Sequence, residues 1–382
     1  MLYWWLLVPC LVRVQGNWTA YKETYDLTFT PVEEAHAHAV WRANMNTLAQ
    51  NQDPNQPYSL GVTPFTHLTQ EEFIRRSTLR IEPPHSFCWR VYTQLAAWAT
   101  TLVAKWWRFF HGYIYDHVYE QCMVPKGEAY DAALNERVFH HYPEDLSWVA
   151  AGRISRVQDQ QKEDSCWAFA TTAVVEACIA IRDRAPPVEL STQQLVACLP
   201  HFRHGGSPAG ALKWIIDNKG IASAAAYAAL ANATECQTNV TAAATITSYV
   251  SLDVDHSQGF VARFELMSGW EVGLDVMLTA VNRGPLIVLI RLDTFSFRDY
   301  TAGVITGCAD SSHLTLNDLN HAVVIVGYGT TYNAAAPVTP IDYWLVRNSW
   351  GTQWGEQGYF RIARTLGAGQ CGINLWVTYP VC

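Results

Sequence analysis

Between Pro31 and Gln52, apolar residues return at near-helical spacing. They fall at Val32, Trp41, Met45 and Leu48, with several alanines and with polar residues between them. That period predicts a helix over 31–52, stopped by Pro54 and Pro57. Tyr58 to Phe65 alternates and predicts a short strand, and Thr69 followed by Glu72 is a capping box opening another helix. A longer apolar helix is predicted from Ser165 to Arg182, before the break at Pro186-Pro187. Ser191 to Val196 and Ala209 to Asn218 open two more, the second ended by Gly220. The later pattern is different: Leu286 to Leu292, His321 to Gly327, Tyr343 to Arg347 and Tyr359 to Ala363 read as strands bounded by Gly, Pro and Asn. Helices first and strands later predict two lobes of different class with a cleft between them.

Residues 87 to 119 fit neither pattern. Val91 to Ala104 carries no charge, but these fourteen residues are flanked by Arg90 and Lys105, and a spanning helix needs about twenty. Trp89, Trp98, Trp106, Trp107, Phe109, Phe110, Tyr113 and Tyr115 crowd the stretch. A helix buried against protein is the favoured reading; an amphipathic membrane-surface helix ranks second and a true span third.

Composition narrows the classes. The 382 residues are 49% apolar and 16% charged, against the signature of disorder. The net charge of −8 without a basic block argues against a nucleic-acid partner. Ten cysteines suit an oxidising compartment. So do an apolar leader over residues 1–16, ending Val14-Gln15-Gly16, and three glycosylation sequons at Asn17, Asn232 and Asn239.

The chemistry begins at Cys166, at the predicted N-terminus of an apolar helix. Backbone N–H groups and the helix dipole favour a thiolate there. His321 starts a buried strand and is a candidate base for the thiol and acid for a leaving amine. Asn348, followed by Ser349-Trp350-Gly351, is a candidate to hold that imidazole in the useful tautomer, with Trp350 shielding the bond from water. Each residue alone has a structural reading; the three in this order point to nucleophilic catalysis.

In these motifs the chain resembles papain-like cysteine peptidases, with a prosegment of the cathepsin L type. The matching residues over about 142–382 are Pro143, Glu144 and Trp148, Gln160, Ser165 to Phe169, Gly205-Gly206, Asn320-His321-Ala322, Asn348 to Gly351, Gly355-Glu356, Gly358-Tyr359 and Cys371-Gly372. The resemblance implies an α+β, two-lobe fold with a helical left lobe, an antiparallel β-barrel-like right lobe and a helical prosegment in front. It implies a signal peptide over 1–16, an inhibitory prosegment over 17–80, a Trp-rich insertion over 81–141 and a peptidase domain over 142–382. Cys166, His321 and Asn348 become nucleophile, base and orienter. The Gln160 side chain and the Cys166 N–H become the oxyanion donors, each such donor worth on the order of 100-fold or more in rate. Gly205 and Gly206 admit the substrate backbone, and Asn320 and Trp350 flank the site. Ser207, Pro208, Leu289, Leu319, Ala322 and Trp376 line a shallow apolar specificity pocket. The family bridges Cys198–Cys236 and Cys308–Cys371 are implied; the pairing of Cys88, Cys122, Cys178 and Cys382 stays open. No cofactor and no metal are implied. The implied partners are protein or peptide substrates, the prosegment itself and cystatin-type inhibitors, in the secretory pathway, a lysosome or vacuole, or outside the cell.

The prosegment pattern falls on Glu33, Trp41, Asn44 and Leu48, with Ala37 and Gln52 at the family's Arg and Asn positions, then on Gly61, Phe65 and Glu71-Glu72-Phe73. Thr63 and His67 replace Asn and Asp. His67 is expected to charge on acidification and to help release the prosegment. Near the nucleophile, Glu163 and Arg203 replace the two cysteines of a family bridge, which predicts a Glu163–Arg203 contact, and Asp164 adds negative charge beside the thiol. An endopeptidase made as a zymogen is the favoured function. A catalytically silent relative with a binding or structural role, and an exopeptidase that retains its insertion, are the alternatives.

Overall fold

The computed structural model describes residues 17–50, 53, 56–77, 142–161, 164–199, 206–228, 230, 235–251, 273–292, 297–308, 313–332 and 339–382. The leader, Gln52, the Trp-rich stretch with its membrane readings, Cys88, Cys122, Gly205, Asn232 and the Glu163–Arg203 contact lie outside the described residues.

The first element among the described residues is α1 (Trp18–Thr24), which sequence patterning missed. Asn17 caps it, its Oδ1 accepting from the amides of Thr19 and Ala20. Tyr21 of α1 and Trp41 of α2 (Pro31–Gln50) form a small core joined by Trp18, Tyr25, Leu27, Met45 and Val62. Alternation over 58–65 predicts a longer strand than β1 (Tyr58–Leu60). The chain turns instead, because Pro64 has no N–H for a ladder and the hydroxyls of Thr63 and Thr66 accept from the amides of Phe65 and Thr63. α3 (Gln70–Ser77) opens on the expected capping box: Thr69 N–H donates to Glu72 Oε2 at 2.8 Å and Glu72 N–H to Thr69 Oγ at 3.1 Å.

After β2 (Leu146–Ser147), the helical part centres on α4 (Cys166–Arg182), which is buried over most of its length. Around it stand α5 (Thr192–Cys198), capped by Ser191, α6 (Pro208–Asp217), capped by Ser207 with Pro208 at its first turn, and α7 (Ala224–Ala228). There follow β3 (Ser248–Ser251), α8 (Leu274–Val281), β4 (Leu286–Ile290), β5 (Tyr300–Ile305), β6 (His321–Tyr332), β7 (Pro340–Arg347), β8 (Tyr359–Ala363) and β9 (Val377–Val381).

These strands form one sheet in the order β1-β5-β8-β7-β6-β4-β9-β3, with β2 on β6. The expected barrel-like lobe is an open sheet here, with β1 and β3 at its ends and the β5–β8 pair parallel. The β4 and β6 sequences are apolar without alternation because both faces are covered. Leu286, Val288, Ile290, Val323 and Ile325 enter the core of the strand lobe. Ile287, Leu289, Ala322, Val324 and Val326 enter a second core with Cys166, Trp167 and Val174 of α4. The helical lobe therefore packs on the β4–β6 face, and the start of α4 faces the start of β6. Bridges join Cys198 to Cys236, Cys308 to Cys371 and Cys178 to Cys382; the third ties the middle of α4 to the C-terminal strand.

Candidate active site

Cys166 is the first residue of α4 and is fully buried. Ser165 precedes it without a side-chain cap bond, so the backbone N–H groups of the first turn are left to the thiol. The amides of Trp167 and Cys166 itself, and of Ala322 across the cleft, favour its anionic form. Burial outweighs them and pushes the thiol up to about 12, with the Asp164 carboxylate adding to the rise. Ala322 N–H reaches Cys166 Sγ at 3.5 Å, so the residue next to His321 touches the sulfur.

His321 starts β6, fully buried. Its Nε2 lies 2.9 Å from Asn348 Oδ1. That oxygen also accepts from the backbone N–H of Ser349 at 2.8 Å, which fixes the amide's orientation. A proton must then stand on Nε2, leaving Nδ1 as the lone pair of the neutral ring. Trp350 stacks on the imidazole at 4.8 Å. It covers the His321–Asn348 bond in a site where an exposed bond would compete with water.

Gln160 is buried and tied to the same loop twice. Its N–H donates to Ser349 O at 2.8 Å, and its Oε1 accepts from Ser349 Oγ at 2.6 Å. Ser349, which sequence reasoning passed over, thus orients both amides; its only sequence signal is adjacency to Asn348. Arg347, also missed, is buried between the lobes, donating to Ser155 Oγ at 3.1 Å and Arg156 O at 2.6 Å. Ser155 donates in turn to Glu176 of α4, whose other oxygen accepts from Leu190 N–H at 2.7 Å. Burial raises the Glu176 carboxyl, against the pull of Arg347. This network joins the Cys166 helix to the strand that leads into Asn348.

Among the pocket residues, Leu289, Leu319, Ala322 and Trp376 share the core around Cys166 and Trp167. Leu289 and Ala322 are cross-strand partners, and Leu289 N–H reaches Trp376 O at 3.4 Å. Pro208 is buried in α6, but the Ser207 hydroxyl is occupied as a cap, accepting from Gly210 N–H at 3.2 Å. Asn320 Oδ1 accepts from Leu292 N–H at 2.9 Å and so braces the strand ends. Gly206 lies against Trp167, where a Cβ would come within 2.4 Å of the indole; no side chain fits. Asn239 is exposed. Among the described residues no group of His, Cys, Asp and Glu is arranged to hold a metal, and no helix is long and apolar enough to cross a membrane.

A profile described as papain family cysteine protease matches residues 142–381 of the chain. The chain belongs to the papain family. A second profile, the cathepsin propeptide inhibitor domain, matches residues 18–73. Ananain from Ananas comosus is 35% identical over 242 residues, covering 62% of this chain and 61% of its own. Pro-cathepsin H from Mus musculus is 32% identical over 246 residues, covering 63% and 65%. The chain therefore spans less than two thirds of the length of these relatives. The recombinant stem bromelain precursor superposes with a TM-score of 0.68 at 27% identity, over 98% of this chain and 99% of that one. Its precursor form matches a papain-family chain that carries both prosegment and peptidase parts.

Proposed function

We propose that this papain-family chain is the zymogen of a cysteine endopeptidase, with residues 17–80 as inhibitory prosegment and 142–382 as the catalytic part. The observation that carries this reading is the meeting of Cys166, at a helix N-terminus, with the strand start that bears the His321–Asn348 pair. Cys166 Sγ attacks the peptide carbonyl carbon and His321 Nδ1 takes the thiol proton. The oxyanion is held by the Gln160 amide and the Cys166 N–H. His321 then protonates the leaving amine, and water attacks the thioester by the reverse route. Asn348 keeps the imidazole in its tautomer throughout. The apolar lining of Leu289, Leu319, Ala322 and Trp376 supports a preference for modest-sized apolar side chains in the main pocket. Protein or peptide substrates, and synthesis through the secretory pathway toward a lysosome, vacuole or the exterior, complete the reading.

The test is labelling of the processed protein by an epoxysuccinyl thiol probe at pH 5, with Cys166→Ala as control. Stoichiometric labelling lost in the control is expected. Processed protein that does not label favours the silent alternative, which Asp164 beside the thiol supports.

A further inference from the structure

One charge beside the cleft has no part in the reaction above. Asp159 precedes Gln160, is exposed, and pairs in a β-bridge with Trp350. Its Oδ1 accepts from Gln161 N–H at 2.8 Å, which fixes the carboxylate. Gln161 adopts φ 55 to make this turn, a left-handed conformation disfavoured for a non-glycine residue.

The reaction geometry says which side of the scissile bond this is. His321 must stand beside the leaving amine to protonate it. Trp350 stacks on His321, and Asp159 is bridged to Trp350. Asp159 therefore lies on the leaving-group side. The prosegment covers that same place. Phe65 and Phe73 pack edge-on against Trp350 at 5.8 and 5.1 Å. Arg76, near the end of α3, donates its Nε to Gln161 O at 3.2 Å, with its guanidinium over the Phe65 ring at 5.3 Å. Burial disfavours the Arg76 charge, and Asp159 is the carboxylate that favours it. The chain's own occupant of this part of the cleft thus sets a guanidinium on the carbonyl of Gln161, whose amide holds the Asp159 carboxylate.

We propose that Asp159 makes the leaving-group side of the cleft a subsite for a basic residue, preferring peptides with Arg or Lys in the first two positions after the scissile bond, and that Arg76 fills this subsite in the zymogen. The proposal rests on the endopeptidase reading and names a substrate class for it.

The test uses processed enzyme whose active thiol has been titrated with the epoxysuccinyl probe. Quenched peptides carry a fixed apolar residue for the main pocket and Arg, Ala or Glu at the first or second leaving-group position. The kcat/KM ratio of Arg to Ala peptides is expected at about three to five at low salt, falling toward one as salt screens the pair. Asp159→Asn keeps the Oδ1 acceptor and should remove most of that preference. An unchanged ratio in the variant overturns the subsite while leaving the endopeptidase reading intact, whereas absent titration and turnover overturns both. A second measurement needs no turnover: melting of the full chain with Arg76→Ala, Asp159→Asn and both. Coupled effects on Tm are expected, and strictly additive ones would contradict the Arg76 placement.

Discussion

At the residue scale, the candidate catalytic groups that the structure brings together are legible because their chemistry restricts them. A thiol opening an apolar helix, a His opening a buried strand and an Asn before a Trp each narrow the reading. Ser349 is not legible, since its hydroxyl acts on Gln160, 189 positions away in sequence. We expect Ser349→Ala to lower kcat of the processed enzyme about tenfold with little change in KM, because the Gln160 donor remains but is no longer held; full loss of such a donor costs about 100-fold or more. A KM rise with unchanged kcat would assign Ser349 to ground-state binding instead. The thiol gives a pH prediction. An acid with a raised value ionises later as pH climbs, so at about 12 its thiolate fraction at pH 8 is about 10⁻⁴. In the proposed zymogen, removing the prosegment would uncover the side of the cleft where Phe65 and Phe73 pack on Trp350 and return water to the site. Iodoacetamide should therefore modify Cys166 far more slowly in the full chain than in processed enzyme at pH 8. Equal rates would mean that the prosegment has no part in burying the sulfur.

At the element scale, legibility follows whether a local signal decides the outcome. The α3 capping box was readable because its cap is written in adjacent residues, and α4 from its long apolar run. β4 and β6 were readable as apolar runs. The end of β1 was set by hydroxyl–backbone bonds inside a four-residue turn, which the alternating pattern masks. β9 escaped because it pairs with β3 and β4, so its strand character comes from distant partners. The Cys178–Cys382 bridge was open for the same reason, its ends lying 204 residues apart. It fastens α4, whose first residue is Cys166, to the end of β9. Replacing both cysteines by serine should cost about 2–5 kcal/mol of stability. Urea unfolding of the Cys166→Ala background measures it, free of self-cleavage. A midpoint that does not move would show that core packing alone fixes the end of β9.

At the scale of the whole molecule, two seams among the described residues fasten the prosegment to the peptidase part besides the contacts of Phe65, Phe73 and Arg76 with Trp350 and Gln161. In one, β1 extends the sheet beside β5, where Gly303 leaves room that a Cβ, 2.3 Å from Pro57 O, would fill. In the other, the 61–68 turn sits on the Arg298–Asp299 pair. Gly61 N–H donates to Asp299 O at 2.8 Å, Thr63 Oγ to Arg298 O at 2.6 Å, and Arg298 Nη1 to Leu68 O at 2.9 Å. His67 stands buried at the end of this turn, its Nδ1 3.0 Å from Tyr21 Oη and its ring edge-on to Phe29. Burial holds the Tyr21 hydroxyl well above the usual tyrosine range, so Tyr21 stays neutral and donates to His67 Nδ1 when that nitrogen carries no proton. Protonation reverses that bond: Nδ1–H must donate to Oη, and the phenol proton must turn to the carbonyls of Thr63 or Pro64, each 3.2 Å away. No hydrogen bond is lost, but a cation is created in a buried turn. The neighbouring carboxylate, Asp299, is already engaged by both Arg298 nitrogens at 3.0 and 2.8 Å. Charging a buried imidazole costs desolvation energy, so acidification through the ordinary histidine range, about 6.5, should loosen this seam. Conversion of the wild-type zymogen is expected to accelerate as pH falls through that range, and His67→Asn should shift the acceleration to lower pH. Following conversion against pH by gel decides it: a variant with the wild-type profile would reject His67 as the trigger.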